Sequence, residues 1–178
     1  MNKINRETLE LLTQRIREAC YLTDAPYNIE TAIEFLNGTV TQKILPPETD
    51  AFIHKTSDTT FEIVTNIFKS KARARFTLAH ELGHLFLHMG FLVNEEKWKG
   101  EQNYQDTIFY RKSNIKKQEE YEANEFAASF LMPQEQFILI AKQHFLNGLY
   151  STKPIADFFD VSTDAVKMRG KFLGIFAW

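Results

Sequence analysis

Apolar positions fall at helical spacings along most of this chain, and at strand-like spacings only in its second quarter. Leu9, Leu12, Ile16, Ala19 and Cys20 recur three and four apart with polar residues between them, which predicts a helix with one apolar face. Cys20 lies on that face and reads as a small buried hydrophobe. Pro26 breaks the pattern, Glu30 to Leu36 predicts a second helix ending at Asn37-Gly38, and Pro46-Pro47 marks an irregular stretch. Ala51 to Lys55 and Thr60 to Thr65 are β-prone runs joined by Thr56-Ser57-Asp58-Thr59, the pattern of a hairpin.

Helical spacing returns from Ser70 to Met89, with Ser70 placed as N-cap and Gly90 as C-cap. Phe91 to Ser113 mixes charges, a glycine and scattered aromatics, and reads as a long excursion. A further helix is expected over Lys116 to Met132, stopped by Pro133. Glu135 to Phe145 and Ile155 to Leu173 give two more helical patterns. No internal repeat interrupts this order.

The chemistry concentrates in His80-Glu81-Leu82-Gly83-His84. Four residues turn a helix by about 400°, so His80 and His84 share a face one turn apart and can meet one ion at ~2.0–2.1 Å. Glu81 lies about 100° around the helix, beside the ion rather than on it. There it can take a proton from an attacking water and deliver it to a leaving amine. Leu78, Ala79, Leu85, Phe86 and Leu87 would wall the site with apolar surface. A histidine at position 90 would mark a metzincin; that position is Gly90, so this class is excluded. His88, one turn beyond His84, could polarise a substrate carbonyl, stand behind the ligands or simply pack.

Catalytic zinc usually has three protein ligands. Glu120, Ala123, Asn124, Ala127 and Leu131 form one helical stripe in which two polar residues interrupt small apolar ones. Glu120 as third ligand and Asn124 as a partner for a ligand histidine account for both. Glu122 is the alternative ligand.

Phe76-Thr77-Leu78-Ala79-His80-Glu81-Leu82-Gly83-His84, then Glu120-Tyr121-Glu122-Ala123-Asn124-Glu125-Phe126-Ala127-Ala128 and Leu131-Met132-Pro133, resembles the ImmA/IrrE metallopeptidases over roughly residues 45–175. The resemblance implies a compact gluzincin-like fold and a glutamate third ligand. It also implies, as substrate, a helix-turn-helix repressor of a mobile element or stress regulon. In related zinc peptidases the ligand glutamate stands four residues before an Asp or Asn, which here selects Glu120 before Asn124.

Composition narrows the picture further. The 178 residues suit one domain, and 16 Phe imply a core rich in aromatics. A net charge of -2 offers no surface-wide attraction for nucleic acid. Ile155 to Val166 echoes a helix-turn-helix, but only Lys167, Arg169 and Lys171 follow it, so docking or packing is expected there rather than DNA binding. One cysteine excludes an intramolecular disulfide. No secretory pattern and no run of ~18 apolar residues is present, so a cytoplasmic protein without membrane contact is expected.

The combined expectation is an α+β, zincin-like domain over residues 1–150 with a β-hairpin or small sheet, followed by a helical segment, 151–178, packed on it. His80, His84 and Glu120 would hold Zn2+, Glu81 would act as base, and a protein substrate would be cut. His88, Tyr104, Tyr110 and Tyr121 are candidates to stabilise the oxyanion. The rival reading is a non-catalytic repressor- or DNA-binding adaptor whose metal site only holds the fold.

Overall fold

The structure is a computed structural model that describes residues 5–68, 70–100 and 114–176. Two helices come first, α1 (Arg6–Ala19) and α2 (Ile29–Phe35). Each is capped by an asparagine, Asn5 or Asn28, whose side-chain oxygen accepts from backbone N–H groups of the first turn. A three-stranded sheet follows, made of β1 (Gly38–Lys43), β2 (Ala51–Lys55) and β3 (Phe61–Asn66). Its order is β1-β3-β2, with β1 parallel and β2 antiparallel to β3. The expected hairpin is β2–β3, with Ile53 opposite Ile63. The strand β1, running straight out of the Asn37-Gly38 turn, was not expected. Its alternation of Thr, Val and Gln is short and half-exposed, as suits an edge strand. The central strand β3 carries the buried Phe61, Ile63 and Val64.

The helix α3 (Lys71–Gly83) passes into one π-helical turn, His84–His88, where Met89 N–H reaches back five residues to the His84 carbonyl at 2.9 Å. The expected single helix from Ser70 to Met89 is thus widened in its last turn. Gly90, at φ +83°, ends it as expected. The excursion that follows is not wholly irregular: it contains α4 (Glu95–Gly100), with Phe91 and Trp98 buried against each other in an edge contact of 5.0 Å. Residues 101–113 of that excursion lie outside the described residues.

The long helix α5 (Asn114–Leu131) lies against α3, and α6 (Gln134–Gln143) follows Pro133. Asn147-Gly148, both at positive φ, then joins two short strands, β4 (Phe145–Leu146) and β5 (Leu149–Tyr150). The helical pattern from Ile155 to Leu173 divides into α7 (Thr152–Phe159) and α8 (Thr163–Phe172). Asp160 in the left-handed region and Ser162 as N-cap make the break. Arg169 of α8 is buried, donating to the Met132 carbonyl at 3.0 Å and pairing with Glu10 of α1 at 2.6 Å. Phe61, Phe126, Phe130, Phe137 and Phe159 are among the largest fully buried side chains, so the core is aromatic.

Gly83 fixes how near α3 and α5 can come. A Cβ there would sit 2.9 Å from the Ala123 Cα and 3.2 Å from the Phe126 Cβ. The obstacle is the α5 backbone itself, so no side chain can swing aside. Gly83→Ala is therefore expected to destabilise the fold by about 1–3 kcal/mol, the usual cost of forcing atoms into a packed core. Urea unfolding followed by circular dichroism measures it; an unchanged midpoint would mean that the two helices part freely.

Candidate metal centre

The close crossing of α3 and α5 brings three of the expected residues together. His80 Nε2 and His84 Nε2 are 3.0 Å apart. Glu120 places one carboxylate oxygen 3.5 Å from His80 Nε2 and the other 3.3 Å from His84 Nε2. Ligand atoms held ~2.0–2.1 Å from one tetrahedral ion would lie ~3.3 Å from one another, so the donor set fits a zinc ion in size and in chemistry. Both nitrogens and the carboxylate point at a common place, and among the described residues these three form the group able to hold a metal. The His84 side chain is fully buried, whereas His80 and Glu120 retain 14% and 25% exposure. The group thus meets solvent on its Glu120 side.

Electrostatics agree with three groups drawn to one another. Burial works against charge on Glu120, but its contacts with His80 and His84 outweigh it and hold the carboxyl below its ordinary range. Burial likewise opposes a proton on His80. Its hydrogen bond with Glu120, then the charge of Glu81 and the other contacts, outweigh burial and raise its pKa. Glu81 is itself buried, at 3% exposure, with its charge acting on His80. Helical geometry likewise sets it about 100° around α3 from His80.

Behind the three lie the groups that orient them. Asn124, one turn beyond Glu120, sets its Oδ1 3.0 Å from His80 Nδ1. His88 does not face the substrate side. It is buried, with Nδ1 2.9 Å from His84 Nδ1 and Nε2 3.3 Å from Glu122 Oε2. Burial and the adjacent His84 lower its pKa to about 4. The carbonyl-polarising role considered for His88 is thereby excluded, and Glu122, the alternative ligand, is taken up by His88 and by Gln118 at 2.7 Å. The π turn could not be read from sequence, because the run Leu85-Phe86-Leu87 is equally compatible with an ordinary helix. The sequence offered His88 one turn beyond His84 and Glu122 two positions from Glu120, but Glu122 lies ~200° around its helix from Glu120, so their meeting could not be read from spacing.

Of the oxyanion candidates, Tyr121 points away from the site. Its hydroxyl donates to Glu125 at 3.0 Å and its ring meets Phe172 edge-on at 5.7 Å. Tyr104 and Tyr110 lie outside the described residues.

Comparison with known proteins places this arrangement. A search of the curated proteins finds no match. Among solved structures, a Mycobacterium tuberculosis transcriptional regulator superimposes with a TM-score of 0.62 at 16% identity, over 92% of this chain. The chain spans 46% of that protein, a little under half its length, and the likeness is one of fold. The family model Peptidase_M78, described as the IrrE N-terminal-like domain, matches residues 39–171 and so takes in the sheet, α3, the π turn, α5 and most of α8. With that match spanning well over half its length, the chain belongs to the Peptidase_M78 family of IrrE N-terminal-like domains.

Proposed function

We propose that the protein is a zinc-dependent endopeptidase that cuts one partner protein, a helix-turn-helix repressor of a mobile element or stress regulon, in the cytoplasm. The observation that carries the reading is the convergence of His80 Nε2, His84 Nε2 and the Glu120 carboxylate at 3.0–3.5 Å with Glu81 buried alongside. Membership of a peptidase family supports the reaction class. The fold likeness to a transcriptional regulator accords with a regulatory setting. No described helix is long and apolar enough to cross a membrane.

The ion, when bound, supplies Lewis acidity toward the scissile carbonyl and the attacking water. The chain's own residues do the rest. His80, His84 and Glu120 hold the ion, and Asn124 fixes the His80 ring by accepting from Nδ1. Glu81 takes the proton of the attacking water and passes it to the departing amine. The edge strand β2, paired on one side with β3, offers its other side to an extended substrate backbone. Main-chain pairing of that kind demands little of the substrate's sequence, so selectivity must come from docking elsewhere.

Two features support docking at a distance. The C-terminal segment 151–178 contributes Ile155, Phe159 and Val166 to the main core, which gives α7 and α8 a rigid seat. A groove of about 1020 Å³ runs between α1, α6 and α8, lined among others by Leu11, Tyr21, Ile138 and Phe172. Glu125 also lines it and lies ~140° around α5 from Glu120, so the groove faces away from the site. DNA is the weaker occupant for α8: of the three basic residues there, Arg169 is buried, and Lys167 is paired with Asp164 at 2.9 Å.

Glu81→Gln tests the chemistry. The variant is expected to keep its fold and one zinc per chain, and to lose cleavage by about 10²–10⁴-fold, the span of general acid–base catalysis. Full cleavage by this variant would refute Glu81 as the base; no cleavage by either form, with partner binding equal in both, would favour the adaptor reading, in which the metal only holds the fold. Selectivity is tested by incubating the zinc-loaded protein with casein and with a helix-turn-helix repressor encoded beside it. One cut in the repressor, abolished by a chelator, is the expected result; rapid cutting of casein at many positions would refute a dedicated substrate.

A further inference from the structure

We propose that His88 and Glu122 form a buried relay that fixes the tautomer of His84, making them positioning residues for the metal. The inference rests on the metal reading above and extends it to two residues that touch neither ion nor substrate.

The geometry leaves little freedom. Two Nδ1 atoms 2.9 Å apart, those of His84 and His88, make a hydrogen bond only if one bears a proton and the other does not. Glu122 Oε2 stands 3.3 Å from His88 Nε2, and an oxygen accepting there places the proton of His88 on Nε2. His88 Nδ1 is then bare and accepts from His84 Nδ1–H. The lone pair of His84 is left on Nε2, the atom 3.0 Å from His80 Nε2 and 3.3 Å from Glu120 Oε1. The other Glu122 oxygen accepts from Gln118 Nε2 at 2.7 Å, which anchors the chain of contacts at its far end.

Burial gives the relay its weight. The side chains of His88 and Glu122 keep 1% and 3% exposure, so water cannot replace either partner. A buried imidazole–carboxylate pair costs desolvation that an apolar pair of the same size would avoid. Packing alone therefore does not explain why these two residues stand here. The π turn is part of the same device: it closes exactly one widened turn between His84 and His88 and sets their ring centroids 4.9 Å apart. Turns of this kind are frequent at functional sites. The two ligand histidines are thus fixed by different means, His80 by the exposed amide of Asn124 and His84 by a dry imidazole and carboxylate.

The test measures zinc affinity of the full chain by competition with a chromophoric chelator, with Co2+ absorption as a second reading of ligand geometry. Neither readout depends on cleavage. His88→Phe keeps the bulk of the ring and removes the acceptor; zinc affinity is expected to fall about 10–100-fold, as for lost partners of metal-bound histidines. His88→Asn leaves a void but places an amide oxygen near the position of Nδ1, and is expected to bind zinc more tightly than His88→Phe. A purely structural role predicts the reverse order, and that order, or unchanged affinity in His88→Phe, would overturn the relay. Glu122→Gln keeps shape and removes charge, so it carries the test if His88→Phe does not fold: a loss of about tenfold is expected, and none would refute the proposal. A wild-type chain that binds no zinc would instead refute the metal reading itself, which separates the two failures.

Discussion

The approach of α3 to α5 at Gly83 is the contact on which the remaining geometry depends. With no side chain on Gly83, the Ala123 backbone comes close enough that a Cβ would be only 2.9 Å from its Cα. Glu120 and Asn124 then flank that crossing on one side, and Glu122 on the other. One residue of extra bulk at the crossing would move all three carboxamide and carboxylate groups away from the histidines together. The stacked rings of Phe86, Phe126 and Phe130, with centroids 5.9 Å apart at each step, fill the space beside the contact and keep the helices from sliding. The glycine within His80-Glu81-Leu82-Gly83-His84 therefore serves packing, while the histidines beside it carry the candidate metal-binding atoms.

Much of this was legible in the residues. The histidine spacing and the small-residue stripe on α5 follow from helical geometry alone, and they led to the three residues that converge. Caps were readable because their chemistry is local: Ser70 accepts from Arg73 N–H at 3.4 Å, and Gly90 takes the positive φ that other residues resist. What was not legible depends on contacts distant in sequence. The strand β1 is recruited by Phe61 to Asn66, some twenty positions away, and too few of its own residues are apolar to announce it. The π turn answers to Glu122 on another helix. The Asn147-Gly148 hairpin is a different kind of miss: its turn dipeptide is a strong local signal, yet two-residue strands are too short to show alternation.

Polar groups at this site are graded from wet to dry. Glu120 and Asn124 stand at the solvent side, His80 lies between, and His84, His88 and Glu122 are enclosed. In a dry setting each hydrogen bond is strong and each unmet one costly. The inner groups are accordingly matched donor to acceptor, whereas the outer ones are left room to exchange partners, as a site that admits water and a peptide requires.

The boundary of the family and the boundary of the folded unit do not coincide. The family match begins at residue 39, after α1 and α2. Yet α1 grips the back of α5: Thr13 Oγ1 meets Ser129 Oγ at 2.7 Å, Arg17 donates to the Ser129 carbonyl at 3.1 Å, and Arg6 pairs with Glu125 at 3.0 Å. The helix that presents Glu120 is thus splinted from behind by a segment that the shared module does not include. A chain trimmed to the module would strip that splint and leave Leu9, Ile16 and Ile33 missing from the core. The firmness with which Glu120 is held is thus set partly by residues outside the matched module.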